Sequence, residues 1–132
     1  MSSSTRKTSP ELIAAVDAYN ARCPDFPATG AAREYRMVHI VKWNGRAKRK
    51  SPYLFRQRAT GIEVKLKTYP RDQGLAERLK ACDGKPVASE HLAFRSGGLI
   101  AKFRISTPPE TIAQAMLDLI TLTLPVVKEH VG

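Results

Sequence analysis

The chain has 132 residues, 42% of them apolar, and carries a formal net charge of +10. That length and apolar content suit one compact domain over residues 9–132 and exclude a disordered chain or a disulfide-stapled miniprotein. Cys23 and Cys82 stand far apart, as expected of reduced thiols rather than of a zinc site or disulfide framework. No run approaches the ~20 consecutive apolar residues of a membrane span. Residues 1–8 lack the apolar core of a signal peptide and are expected to be a disordered lead, so a cytoplasmic location and no membrane partner are expected.

The first predicted element is a helix from Ser9-Pro10-Glu11 to about Arg22. Ser9 is the cap, Pro10 suits the first helical position, and Glu11 complements the positive helix end. Leu12, Ile13, Val16 and Tyr19 supply its apolar stripe. Cys23-Pro24-Asp25-Phe26-Pro27 stops it, and residues 28–32 read as a connector.

Three strands follow. Tyr35 to Trp43 places Tyr35, Met37, His39, Val41 and Trp43 on one side and Arg36, Val38, Ile40 and Lys42 on the other. Tyr53 to Arg58 alternates less cleanly, and the third strand sets Ile62, Val64 and Leu66 against Glu63, Lys65 and Lys67. Asn44-Gly45 opens the loop between the first two, and Ala59-Thr60-Gly61 joins the second and third. A short helix from Asp72 to Cys82 ends at Asp83-Gly84, and residues 85–97 read as irregular. A fourth strand, Leu99 to Ile105, precedes a helix that opens on Thr107-Pro108-Pro109-Glu110, a capping-box spacing. Pro125 is expected to kink or end that helix. The order α-β-β-β-α-β-α predicts an α+β fold: an antiparallel sheet with its helices on one face and a basic open face.

The charge is not spread evenly. Residues 33–71 hold twelve Lys and Arg against Glu34 and Glu63, so the whole excess of +10 lies in 39 consecutive residues. Strand phase puts Arg36 with Lys42, Arg56 with Arg58, Lys65 with Lys67 and Lys102 with Arg104 on the side away from the helices. The loop 44–52, NGRAKRKSP, adds Arg46, Lys48, Arg49 and Lys50 at one end of that face. Solubility and edge protection also enrich exposed strands in cations. Like charges on neighbouring strands cost stability, however, and this concentration favours an anionic partner. A nucleic-acid backbone fits, because cations release its condensed counterions and Arg grips phosphate in a bidentate way. Trp43 and Tyr53 flank the loop and could stack on bases, although the phase of Trp43 with His39 and Val41 favours packing.

Signals for catalysis are weak. His39, His91 and His130 lack metal-ligand spacing, Ser96-Gly97-Gly98 precedes a strand rather than a helix, and neither cysteine has a nearby His. Glu63-Val64-Lys65 resembles the (Asp/Glu)-x-Lys signature of metal-dependent nucleases that also carry a Pro-Asp, and Pro24-Asp25 is present. Metal-assisted hydrolysis needs a second carboxylate beside the first, and residues 43–58 contain none. No cofactor, metal or catalytic residue is therefore expected, with a degenerate nuclease the third reading.

The strand ending in Tyr69-Pro70, followed by HLAFRSGGLIAKFRISTPPETIAQAMLDLI (residues 91–120), resembles the C-terminal half of MmcQ/YjbR-like small double-wing domains. That resemblance covers the element order over roughly 33–128 and implies DNA binding. The main expectation is a non-enzymatic nucleic-acid-binding protein, DNA or RNA. It would use Lys42, Trp43, Arg46, Lys48, Arg49, Lys50, Arg56, Arg58, Lys65, Lys67, Lys102 and Arg104. The alternative is a protein-interaction module, an inhibitor or adaptor docking on an acidic protein surface or on a nucleic-acid-binding enzyme. Replacing Arg46, Lys48, Arg49 and Lys50 by Ala should weaken nucleic-acid binding and flatten its salt dependence in a gel-shift titration.

Overall fold

A computed structural model describes residues 9–31, 33–37, 52–68, 73–95 and 98–131. Helix α1 spans Pro10–Arg22, and the Ser9 side chain accepts the Leu12 N–H as its cap. Leu12, Ala15, Val16 and Tyr19 form its buried stripe, while Ile13 is exposed. The chain then forms β1 (Ala28–Ala31) and β2 (Glu34–Met37), followed by β3 (Tyr53–Arg58) and β4 (Gly61–Leu66). Helix α2 spans Gln73–Leu79 and tightens into a 3₁₀ turn at Lys80–Cys82. Short strands β5 (Pro86–Val87), β6 (Glu90–His91) and β7 (Ala93–Arg95) lead into β8 (Gly98–Arg104), and α3 covers Pro109–Val131.

Six strands make one antiparallel sheet in the order β1-β2-β3-β4-β8-β7, with β5 and β6 as a separate hairpin. The α+β class and the open sheet agree with the sequence pattern, but the strand count is larger. Residues 28–31 are a strand, not a connector. Their small side chains carry no alternation, and what holds them is partly a side chain: Asn20 donates to the Ala28 carbonyl at 3.1 Å and accepts the Ala28 N–H at 2.6 Å. Residues 85–97 likewise contain three short strands. Two or three residues are too few for periodicity to register, and their pairing is fixed by the partner β8 and by a hairpin turn. Ala88 in that turn has a φ of 54°, and its N–H is taken by Asp118 of α3 at 2.8 Å.

The first predicted strand is observed as Glu34–Met37, and its continuation from Val38 to Trp43 lies outside the described residues. Asp72, at the predicted start of the second helix, does too. The fourth strand ends at Arg104, leaving Ile105 exposed in the following turn. Helix α3 begins at Pro109, and Glu110 pairs with Arg22 of α1 at 2.7 Å instead of serving a box with Thr107. Pro125 does not end the helix. The residue whose carbonyl it leaves without a helical donor, Thr121, lies on an exposed turn where water can serve it.

One side of the sheet packs on the helices. Met37, Tyr53, Phe55, Ile62, Val64, Leu66, Leu99, Ala101 and Phe103 meet Leu12, Val16 and Tyr19 of α1 and Ile112, Met116, Leu119 and Val127 of α3 in one core. Tyr19 meets Phe55 edge-on, with ring centroids 5.6 Å apart. By length and composition α3 could cross a membrane, yet here its apolar side completes this core. Gly61 lets β4 approach β8 closely, since a Cβ there would strike the Phe103 carbonyl oxygen.

The core contains a polar chain through Tyr53 and Thr123. Thr123 donates to the Leu119 carbonyl at 2.7 Å, and Tyr53 reaches the Thr123 hydroxyl, also at 2.7 Å. Burial pushes the Tyr53 phenol far above its ordinary value. Tyr53→Phe should lower stability by about 1 kcal/mol without altering the fold, measured as a drop of several degrees in Tm beside an unchanged far-UV circular dichroism spectrum.

Candidate nucleic-acid interface

Residues opposite one another in an antiparallel pair share a face. The register therefore assigns every strand charge. Thr29, Arg36, Leu54 and Lys65 lie in one row, and Glu34, Arg56, Glu63 and Lys102 in the next. Gly61 faces Arg104, and Arg95 on β7 faces Gly98. All of these lie on the side opposite the helices, with Arg58 and Lys67 in phase. Of the predicted residues, Arg56, Arg58, Lys65, Lys67, Lys102 and Arg104 thus share one face. Lys42, Trp43, Arg46, Lys48, Arg49 and Lys50 lie outside the described residues. Tyr53 is buried under α3 and has no exposed ring with which to stack.

Arg95 joins this face although the sequence pattern does not announce it. It lies in the 85–97 stretch that reads as irregular, and only pairing with β8 orients it. The described face then holds Arg36, Arg56, Arg58, Lys65, Lys67, Arg95, Lys102 and Arg104 against two carboxylates, a net +6.

Those two carboxylates change how the platform works. Glu34 is clamped between two arginines, with Arg36 Nη2 at 2.6 Å from Oε2 and Arg56 Nη2 at 2.9 Å from Oε1. Burial alone would raise the Glu34 pKa, but hydrogen bonds and charge from Arg56 and Arg36 outweigh it and hold the carboxyl below its ordinary range. Glu63 is the more buried acid, at 4% exposure, with Arg58 Nε 3.6 Å away. The basic face is therefore interleaved with acid at two points. Both acids sit in one row, where Glu63 separates Arg56 from Lys102 and Glu34 lies between Ala31 and Arg56.

The rest of the face is left positive. Among the described residues Lys65, Lys67, Arg95, Lys102 and Arg104 form no ion pair. The Lys65 ammonium has its pKa pushed down, first by burial and then by Arg56, with Lys67 and Arg58 adding to the effect and Glu63 opposing it. Leu54 is fully buried even on this side, flanked in register by Arg36 and Lys65, whose aliphatic stems line the face.

Two depressions border the cations. The larger, about 310 Å³, lies at the β3–β4 turn and is lined by Arg58, Thr60, Gly61, Glu63 and Lys102. The smaller, about 160 Å³, is lined by Glu90 and His91 of the β5–β6 hairpin together with Arg95, Ile100 and Lys102. Lys102 borders both. The cross-strand neighbours of Glu63 are Arg56 and Lys102, and among the described residues no three His, Cys, Asp or Glu side chains are grouped as metal ligands.

In comparisons with protein-family models, curated proteins and solved structures, nothing matches this chain.

The Glu34 clamp has a definite pH signature. Its folded pKa lies below the ordinary 4.5, so its stabilising contribution is complete above that value and is lost as pH falls through the folded pKa. Wild type and Glu34→Gln should differ in Tm at neutral pH and converge as the solution is acidified below 4.5. Parallel curves would show that the clamp contributes nothing.

Proposed function

We propose that the chain binds nucleic acid through the sheet face opposite its helices, chiefly by contacts to phosphate. One observation carries this reading: five cations from three adjacent strands, β4, β8 and β7, and the segment following β4 share a face without ion-pair partners among the described residues. Holding them together works against the fold: burial first, and then repulsion from Arg56, Lys67 and Arg58, depresses the Lys65 pKa. An anionic polymer would relieve that repulsion. From β2 to β7 the cations span four strand spacings, about 19 Å. That is room for several successive phosphates of one strand. The salt-bridged arginine of β3 has a different part: Glu34 fixes Arg56, so its remaining N–H donors meet a phosphate with little ordering left to do. The resemblance to MmcQ/YjbR-like double-wing domains implies the same activity.

An acidic protein surface would satisfy the same charges. Spacing favours the polymer, since its phosphates recur regularly over the whole length of the face.

Lys65→Met separates binding from folding. Because the folded pKa of Lys65 is below its ordinary 10.5, its charge disfavours the folded state at neutral pH. The variant should be more stable than wild type in urea, yet bind an oligonucleotide more weakly, with a log–log salt slope lower by about 0.7 to 0.9. Tighter folding with an unaltered salt slope would remove Lys65 from the interface. Wild-type protein that shifts neither DNA nor RNA would overturn the reading in favour of an acidic protein partner.

A further inference from the structure

The cationic face contains one group that phosphate cannot satisfy. Glu63 is 4% exposed, and among the described residues its carboxylate accepts no hydrogen bond; its one ion-pair contact, to Arg58, is a long 3.6 Å. A buried acceptor without a donor is costly, and more so when it is charged. Glu63 also lines the depression of about 310 Å³ at the β3–β4 turn, whose other charged walls are Arg58 and Lys102. That volume is at the lower end for small-molecule sites, ~300–1,000 Å³.

An acceptor ringed by cations selects its ligand by exclusion. A metal ion or a basic side chain would be repelled by Arg56, Arg58 and Lys102. A bare phosphate would pair with Arg58 and Lys102 but leave Glu63 unsatisfied and face a like charge. What fits is a neutral N–H donor edge joined to an anion, as in a nucleotide. Among the bases, guanine alone sets an imino N–H and an amino N–H side by side on its Watson–Crick edge, matching the two oxygens of one carboxylate. Adenine and cytosine offer an amino group beside a ring acceptor that the carboxylate repels. Uracil and thymine offer one N–H between two carbonyls.

The geometry points to a guanine-selective pocket, in which Glu63 receives the N1–H and N2–H of an unpaired guanine while Arg58 and Lys102 take the adjoining phosphates. This rests on the nucleic-acid reading and extends it, adding base selectivity to a surface otherwise suited to backbone contacts. It also requires a single-stranded site, because the edge concerned is occupied in a duplex.

The test uses the full-length protein and six-nucleotide single strands of thymidine with one central dG, dI, dA or dC, measured by fluorescence polarisation at low salt. Expected is about tenfold tighter binding of the dG strand than of the thymidine strand. The dI strand should fall between them, since inosine lacks the amino group. Glu63→Gln should abolish the dG preference and leave the thymidine strand bound at least as tightly, one opposing charge having been removed. The base ranking is measured on wild type and does not depend on the variant's folding. In parallel, GMP and UMP are titrated against ¹⁵N-labelled protein, with GMP alone expected to move the amides of Thr60, Gly61, Glu63 and Lys102. Equal affinity for all strands, with those amides unmoved by GMP, overturns the pocket and leaves phosphate binding standing. A dG preference that survives Glu63→Gln in folded protein also overturns it. No binding of any strand, with a GMP response at those amides, would overturn the polymer reading and keep the pocket.

Discussion

The charge pattern on the described sheet face follows from how β4 is paired. It runs antiparallel to β3 on one side and to β8 on the other, six residues deep in each case. Ile62, Val64 and Leu66 enter the core; Glu63 and Lys65 therefore cannot. A one-residue slip would exchange the two sets and bury cations beneath α3, so the core that stabilises the fold also enforces the charge pattern. Gly61 allows this pairing to begin at the first residue of the strand, where any side chain would meet the Phe103 carbonyl. The distribution of charge is thus an outcome of apolar packing and needs no further organising device.

How much of this was legible depends on length. Strands of six and seven residues, β3, β4 and β8, show in the sequence because alternation has several periods in which to appear. The caps of α1 are legible because Ser9 and Pro10 act locally. The strand Ala28–Ala31 is not: its backbone is held by Asn20, eight residues away, and no pattern among small residues marks that contact. Arg95 is hidden for the same reason, since only a partner strand determines where it points. The cationic face was therefore visible as a phase relation among the longer strands. Within it, Glu34 was visible as a residue but not as a partner of particular arginines. Arg56 with Glu34 is a cross-strand pair, and register cannot be read from a single chain segment.

The two acids also differ in what their surroundings ask of them. Glu34 has donors on both oxygens and is electrostatically complete. Glu63, one strand beyond Arg56, has charge around it but no donor in contact. The same residue type in the same row thus acts in one place as a brace for arginines and in the other as an open acceptor. Exposure alone would have ranked them the other way, because the more accessible carboxylate is the satisfied one.

The bond between Tyr53 and Thr123 has a consequence for the last helix. Leu117, Leu122, Leu124 and Val126 lie around α3 beside its fully buried residues, so its surface is greasy over most of its circumference and packing alone would tolerate several rotations about its axis. The hydroxyls limit that freedom: turning the helix by one position would break the buried contact between Tyr53 and Thr123, although Thr123 would keep its bond to the Leu119 carbonyl. A single oxygen-to-oxygen contact thereby acts as a key in a keyway, setting the angle of a 23-residue helix against the sheet.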